Sequence, residues 1–118
     1  PAMLQTYQGA CHCGDTRFEV EADLDHVRAC DCSLCTQRGA LIHRVENARL
    51  RLFTPLDALS VYRWHTRIAA DYFCPRCGIL PLRRPRTAPH LWGVNVRCLE
   101  GVDLAAIPIR PVHGRQLA

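Results

Sequence analysis

From Thr16 onward apolar and polar positions alternate: Phe18, Val20 and Ala22 fall on one face, Arg17, Glu19 and Glu21 on the other. That period of two predicts a half-buried strand over 16–22. The Gly14-Asp15 pair just ahead is a turn signal, so Cys11 and Cys13 belong to a tight connection at the strand's start. A second strand is predicted over 26–32, with Val27 and Ala29 on one face and Cys30 and Cys32 on the other, so that two sulfurs project the same way. The run 33–38 has helical character and meets a stop at Gly39; one helical turn brings Cys35 round to the other two sulfurs. Further strands are expected over 40–45, 49–53, 59–64, 69–73, 79–83 and 90–97, and their even spacing predicts a mainly β fold. Thr54-Pro55-Leu56-Asp57 reads as a short helical turn with proline at its first position, and His65-Thr66-Arg67 as a hairpin tip. Charge and proline mix over 83–89, which predicts a solvated loop. The last residues, from Pro108, read as an extended strap.

Length sharpens this to a single domain over 1–118, with a core at about 5–107 and the strap at 108–118. Hydrophobic residues make up 48% and charged residues 22% of the chain, a globular composition rather than a disordered one. No apolar run approaches the roughly 18 residues of a spanning helix, and the start lacks the basic and apolar regions of a secretory signal. The expectation is a cytoplasmic protein with no membrane partner. Pro1-Ala2 ahead of Met3 reads either as an addition or as a trimmed start.

Eight cysteines in 118 residues demand an explanation. Cys-x-Cys occurs twice, at Cys11/Cys13 and Cys30/Cys32, with Cys74-Pro75-Arg76-Cys77 downstream; disulfides between such close neighbours are strained, and metal is the better reading. Zinc takes four thiolates in a closed structural site and three in a site open to a further ligand. The chain carries one set of each kind. Cys11, Cys13, Cys74 and Cys77 form a complete structural set whose metal would pin the first strand to a late hairpin. Gly14 and Gly78, each following a cysteine, suit knuckle turns whose N–H groups face thiolates. Cys30, Cys32 and Cys35 form a catalytic-type set without a fourth partner nearby. His26, His43, His65 and His90 are candidates to close it, as is Cys98, although Cys98 alternates with Trp92, Val94 and Val96 and reads first as a buried core thiol. His12 and Asp31 point away from their flanking cysteines, which leaves Asp31 a supporting or turn residue.

Two zinc ions on seven thiolates also take the formal charge from +4 to +1, so the basic balance says little about partners. The arginines of 83–89 lack interleaved aromatics, which argues against nucleic acid. An open three-thiolate zinc is a poor activator of water but a good receptor for a substrate thiol, whose proton it removes. That is a setting for making or breaking a carbon–sulfur bond.

The motifs Gly9-Ala10-Cys11-His12-Cys13-Gly14, Phe18-Glu19-Val20, Cys30-Asp31-Cys32-Ser33-Leu34-Cys35, Tyr72-Phe73-Cys74-Pro75-Arg76-Cys77-Gly78 and Val94-Asn95-Val96-Arg97-Cys98-Leu99 together resemble the glutathione-dependent formaldehyde-activating enzyme family. The resemblance covers 9–101 and implies a β-tent of small antiparallel sheets pinned by two zinc ions, on the ligand sets given above. It implies a carbon–sulfur lyase that joins glutathione and formaldehyde as S-(hydroxymethyl)glutathione, with Arg38, Arg44 or Arg63 available for the glutathione carboxylates. The alternative is a non-catalytic zinc module that binds glutathione, a protein partner or nucleic acid. The chain departs from the family pattern at Asp71, where a histidine is common, and at Val112-His113-Gly114, in place of an acidic-glycine ending.

Overall fold

The computed structural model describes residues 3–117; Pro1, Ala2 and Ala118, the ends of the expected domain, lie outside them. Among the described residues, ten strands form two sheets, with one short helix and several single 3-10 turns, as the mainly β reading requires. The smaller sheet has the order β1-β2-β5, from Gln5–Ala10, Arg17–Ala22 and Leu50–Leu52. The larger has the order β10-β3-β4-β9-β8-β7-β6, from Ile109–Val112, Val27–Cys30, Ile42–Val45, Trp92–Asn95, Leu82–Arg84, Ala70–Phe73 and Ser60–Tyr62. All pairings are antiparallel except that of β10 with β3. Among the described residues, no helix is long and apolar enough to cross a membrane.

β1 is a strand that its own residues do not announce. Gln5–Ala10 shows no apolar alternation and forms because β2 offers a full antiparallel edge, from Gln5 opposite Ala22 to Ala10 opposite Arg17. Gly9 sits over the face of Phe18, where any Cβ would run into the ring. Phe18, Val20 and Ala22 of β2 then bury against the large sheet, joining Val27, Val45, Leu82, Trp92 and Val94 in one cluster.

Because side chains alternate along each strand, the register of the large sheet fixes what its other face carries. Val27, His43, Val45, Val94, Trp92, Leu82 and Tyr72 share the core side, and Arg28, Ile42, Arg44, Gly93, Arg83 and Asp71 share the opposite one. That second face is charged rather than apolar, and Cys30 at the end of β3 belongs to it.

Three sequence expectations need correction. Residues 83–89 are a loop only from Pro85 onward and only partly solvated: Arg83 and Arg84 complete β8, Pro85 is fully buried and Ala88 nearly so, while Thr87 and Pro89 are exposed. The burial is tolerated because both guanidiniums have partners that composition cannot reveal, Asp71 for Arg83, and for Arg84 the Trp92 ring 3.5 Å away and Asn47 Oδ1 at 2.8 Å. The strand expected over 90–97 covers only Trp92–Asn95 before a 3-10 turn at Val96–Cys98, capped by Asn95 Oδ1 accepting from the Arg97 N–H. Cys98 therefore does not alternate with Trp92 and Val94, although it does pack against the core. The strand expected over 79–83 begins only at Leu82, because the Cys74 N–H to Ile79 carbonyl bond closes the preceding turn. The hairpin tip is as expected: the Arg67 N–H bonds the Trp64 carbonyl, with His65 and Arg67 at positive φ of 53° and 62°.

Candidate metal centres and the cavity beside them

The sulfurs of Cys11, Cys13, Cys74 and Cys77 all lie within 4.8 Å of one another. Cys13 Sγ is 3.6 Å from both Cys11 Sγ and Cys74 Sγ. A tetrahedral zinc with bonds of about 2.3 Å requires sulfurs about 3.8 Å apart, so the cluster fits the ion. Two turns build it. Gly14 and Gly78 both take positive φ, 84° and 80°, and their N–H groups close on the Cys11 and Cys74 carbonyls, while the Thr16 N–H donates to Cys11 Sγ at 3.3 Å. The thiols show what such crowding costs without a cation. Burial opposes ionisation of Cys11, but its hydrogen bonds from Thr16 and from its neighbouring thiols prevail and lower it to about 6. Cys13, despite the Asp15 N–H, is pushed up to about 12 by burial and by the other three sulfurs. Four thiolates cannot coexist here unless a metal neutralises them.

Cys30, Cys32 and Cys35 likewise converge within 4.8 Å, and among the described residues no histidine, cysteine or carboxylate joins them as a fourth. Neither Cys98 nor any of His26, His43, His65 and His90 closes this cluster. Cys30 arrives at the end of β3, and α1, Ser33–Arg38, carries Cys35 round. The Cys32 N–H points at Cys30 Sγ at 3.5 Å, and the Cys35 N–H at Cys32 Sγ at 3.4 Å. A six-residue helix that buries none of its residues has little stability of its own; an ion shared by its cap Cys32 and by Cys35 would hold it in place. Burial first, then Cys32 and Cys30, drive Cys35 upward against the pull of Arg83, and the N–H groups around Cys32 outweigh its burial and lower it.

A cavity of about 250 Å³ opens beside these three sulfurs. Among the described residues, five arginines line it, Arg28, Arg44, Arg83, Arg86 and Arg115, and no aspartate or glutamate does. Arg83 is fixed by the buried Asp71, whose Oδ1 accepts from Nε at 2.8 Å, and it turns Nη1 toward Cys35 Sγ at 3.7 Å. Arg44 donates to Thr87 Oγ1 at 3.0 Å, but its Nε is buried with no hydrogen-bond partner. Burial, followed by repulsion from Arg28 and Arg83, presses the Arg44 guanidinium downward from its ordinary value. The strap closes one wall: β10 pairs with β3, Asp31 accepts from the Arg115 N–H at 2.9 Å and contacts His113 Nδ1 at 3.3 Å, and Gly114 lies directly on Cys30 Sγ.

Residues 6–112 match the family described as "Glutathione-dependent formaldehyde-activating enzyme". The chain belongs to this family. It is also similar to a solved Rhodobacter sphaeroides protein, a Northeast Structural Genomics target, at 37% identity and a TM-score of 0.78, covering 87% of this chain and 99% of that one. The formaldehyde-activating family is associated with glutathione-dependent formaldehyde activation, and both cysteine clusters given by its motifs come together here as sets that could hold metal ions.

Of the three arginines singled out in the sequence, only Arg44 reaches the cavity. Arg38 stacks over Phe73, its guanidinium carbon 5.8 Å from the ring centre, and Arg63 bonds the Arg67 carbonyl. Arg28 and Arg83 were legible only as members of alternating strands. Their partners on neighbouring strands, which make them part of a site, leave no local signal.

Proposed function

We propose that this protein is a zinc-dependent carbon–sulfur lyase acting on a thiol–aldehyde adduct, with glutathione plus formaldehyde and S-(hydroxymethyl)glutathione as the leading pair. The observation that carries the reading is the three-cysteine cluster opening onto an arginine-lined cavity, beside a four-cysteine cluster that is complete. We assign a structural zinc to Cys11, Cys13, Cys74 and Cys77 and a catalytic-type zinc to Cys30, Cys32 and Cys35. At the latter the ion would supply a Lewis-acid position that favours the thiolate form of a bound thiol.

The chain's own groups supply the rest. Glutathione carries two carboxylates, and Arg28 and Arg44 offer unneutralised guanidiniums to receive them, with Arg44 Nε as a buried donor in need of an acceptor. Arg83, held by Asp71, stabilises negative charge at Cys35. The sulfur of the thiol bonds to the aldehyde carbon, the carbonyl π pair moves to oxygen, and the proton lost by the thiol ends on that oxygen. His65, on the positive-φ hairpin tip, is the one histidine lining the cavity among the described residues, and we assign it to carry that proton. The clustered, unpaired thiols suit a reducing, cytoplasmic setting.

The test is exchange spectroscopy by NMR of glutathione and formaldehyde at equilibrium with S-(hydroxymethyl)glutathione. The protein should accelerate exchange over the spontaneous rate, and Cys35→Ser should abolish the acceleration while the four-cysteine site stays filled. Equal rates with and without the parent protein refute the enzyme; two inert four-sulfur sites by X-ray absorption favour the binding module.

A further inference from the structure

A third group of potential ligands contains no cysteine. Asp25, His26 and His43 each offer a donor atom, all within 4.8 Å of one another. β4 places His43 on the core side of the large sheet, opposite to Ile42 and Arg44, and the connection leaving β2 runs up against it. His43 Nδ1 lies 2.8 Å from the His26 carbonyl oxygen. A carbonyl only accepts, so the proton sits on Nδ1 and the lone pair of the neutral ring sits on Nε2. That Nε2 stands 3.5 Å from Asp23 Oδ1. Two acceptors facing each other repel unless something positive lies between them.

A proton on Nε2 would serve, but a charge-assisted hydrogen bond closes to about 2.7–2.9 Å. The observed gap instead matches the edge of a tetrahedron of nitrogen and oxygen ligands about 2.0–2.1 Å from one ion, which is about 3.3 Å. His26 and Asp25 stand beside it: His26 Nδ1 lies 2.8 Å from Asp25 Oδ1, and each of these two residues offers a donor atom within 4.8 Å of the one from His43. His43 is only 6% exposed, so its ring is desolvated while its free nitrogen meets the open carboxylates of the connection. Leu24, between the two aspartates, is buried at a φ of 46°, a conformation held by its packing in the core.

We propose that Asp25, His26 and His43 form a third metal site, for a divalent transition ion of the zinc, cobalt or nickel class, with the Asp23 carboxylate beside it. Two imidazoles with a carboxylate suit such ions, and the Asp25 carboxylate with that of Asp23 nearby offsets the charge of a dication. The site lies four residues up β3 from Cys30, about 13 Å along an extended strand, so it is separate from both cysteine clusters. It ties the β2–β3 connection to β4.

The test uses the full chain with both cysteine clusters loaded with zinc, titrated with cobalt(II). One further equivalent should bind with weak visible absorption and without the sulfur-to-metal charge-transfer band that thiolate-bound cobalt shows. It should be lost in His26→Gln, and Asp25→Asn should weaken it by about 10- to 100-fold. Should either variant fold poorly, the parent protein still decides, because cobalt must broaden the ring signals of His26 and His43 in preference to those of the other four histidines. No further equivalent, an equivalent that survives both substitutions, or ring signals that respond to pH but not to cobalt would overturn the site, the last in favour of an imidazolium paired with Asp23.

Discussion

Replacing Asp71 with asparagine probes the connection between the buried charge of the large sheet and the three-cysteine cluster. Asp71 and Arg83 have side chains only 3% and 16% exposed, and Asp71 is the carboxylate on which Arg83 rests, with Cys35 Sγ beyond it. Removing one member of a buried pair leaves the other charge uncompensated, at a typical cost of about 3–5 kcal/mol. Asparagine keeps an acceptor for the Arg83 Nε–H, and the cluster's own negative charge offsets part of the loss, so the lower end, about 3 kcal/mol, is expected. With an unfolding entropy of about 2.1 cal/mol/K per residue, 118 residues convert that figure to a Tm lower by roughly 12 °C. Calorimetry of the zinc-loaded protein measures it. The double variant Asp71→Asn/Arg83→Met should recover part of the loss, because the stranded cation is gone. A Tm within about 3 °C of the parent's, with additive effects in the double variant, would show that the pair contributes no coupling and that Arg83 is not held by Asp71.

Other outcomes follow from the same contacts. Cys74→Ser removes a thiol from the cluster that joins the first turn to the β7–β8 connection, and should leave too little folded protein for a cooperative melt; on the proposed assignment, Cys35→Ser should stay folded and hold one zinc fewer by elemental analysis. Gly114→Ala drives a methyl group against Cys30 Sγ, which should cost about 1–3 kcal/mol and speed hydrogen exchange at the Arg115 N–H that binds Asp31; unchanged exchange there would refute the tight seat of the strap. Burial, then Cys11 and Cys77, push the Cys98 thiol up to about 11. Burial alone keeps its thiolate fraction at neutral pH below that of an ordinary cysteine, and it should resist iodoacetamide in the zinc-loaded protein, as peptide mass spectrometry would read.

The cysteine clusters were legible because ligand chemistry is local in kind even when remote in sequence: four sulfurs in two close pairs suit zinc wherever the chain brings the pairs together. The arginine face was not. Alternation says which side of its own strand Arg28, Arg44 or Arg83 takes, but not which strand lies alongside, and charge with proline over 83–89 looked like solvent exposure. β1 was missed for the same reason, since its stability lies in the edge that β2 presents. The residue that explains the arginine face is a glycine. Gly93 sits in β9 between β4 and β8, buried in mid-strand, where glycine weakens a sheet. A Cβ there would stand 2.9 Å from both Arg83 Cγ and Ile42 Cγ2. With no side chain at that point, the stem of Arg83 passes over β9, and its guanidinium donates through Nε to Asp71 and turns Nη1 toward Cys35. A larger residue would displace the stem, so Gly93 positions the guanidinium as directly as Asp71 does.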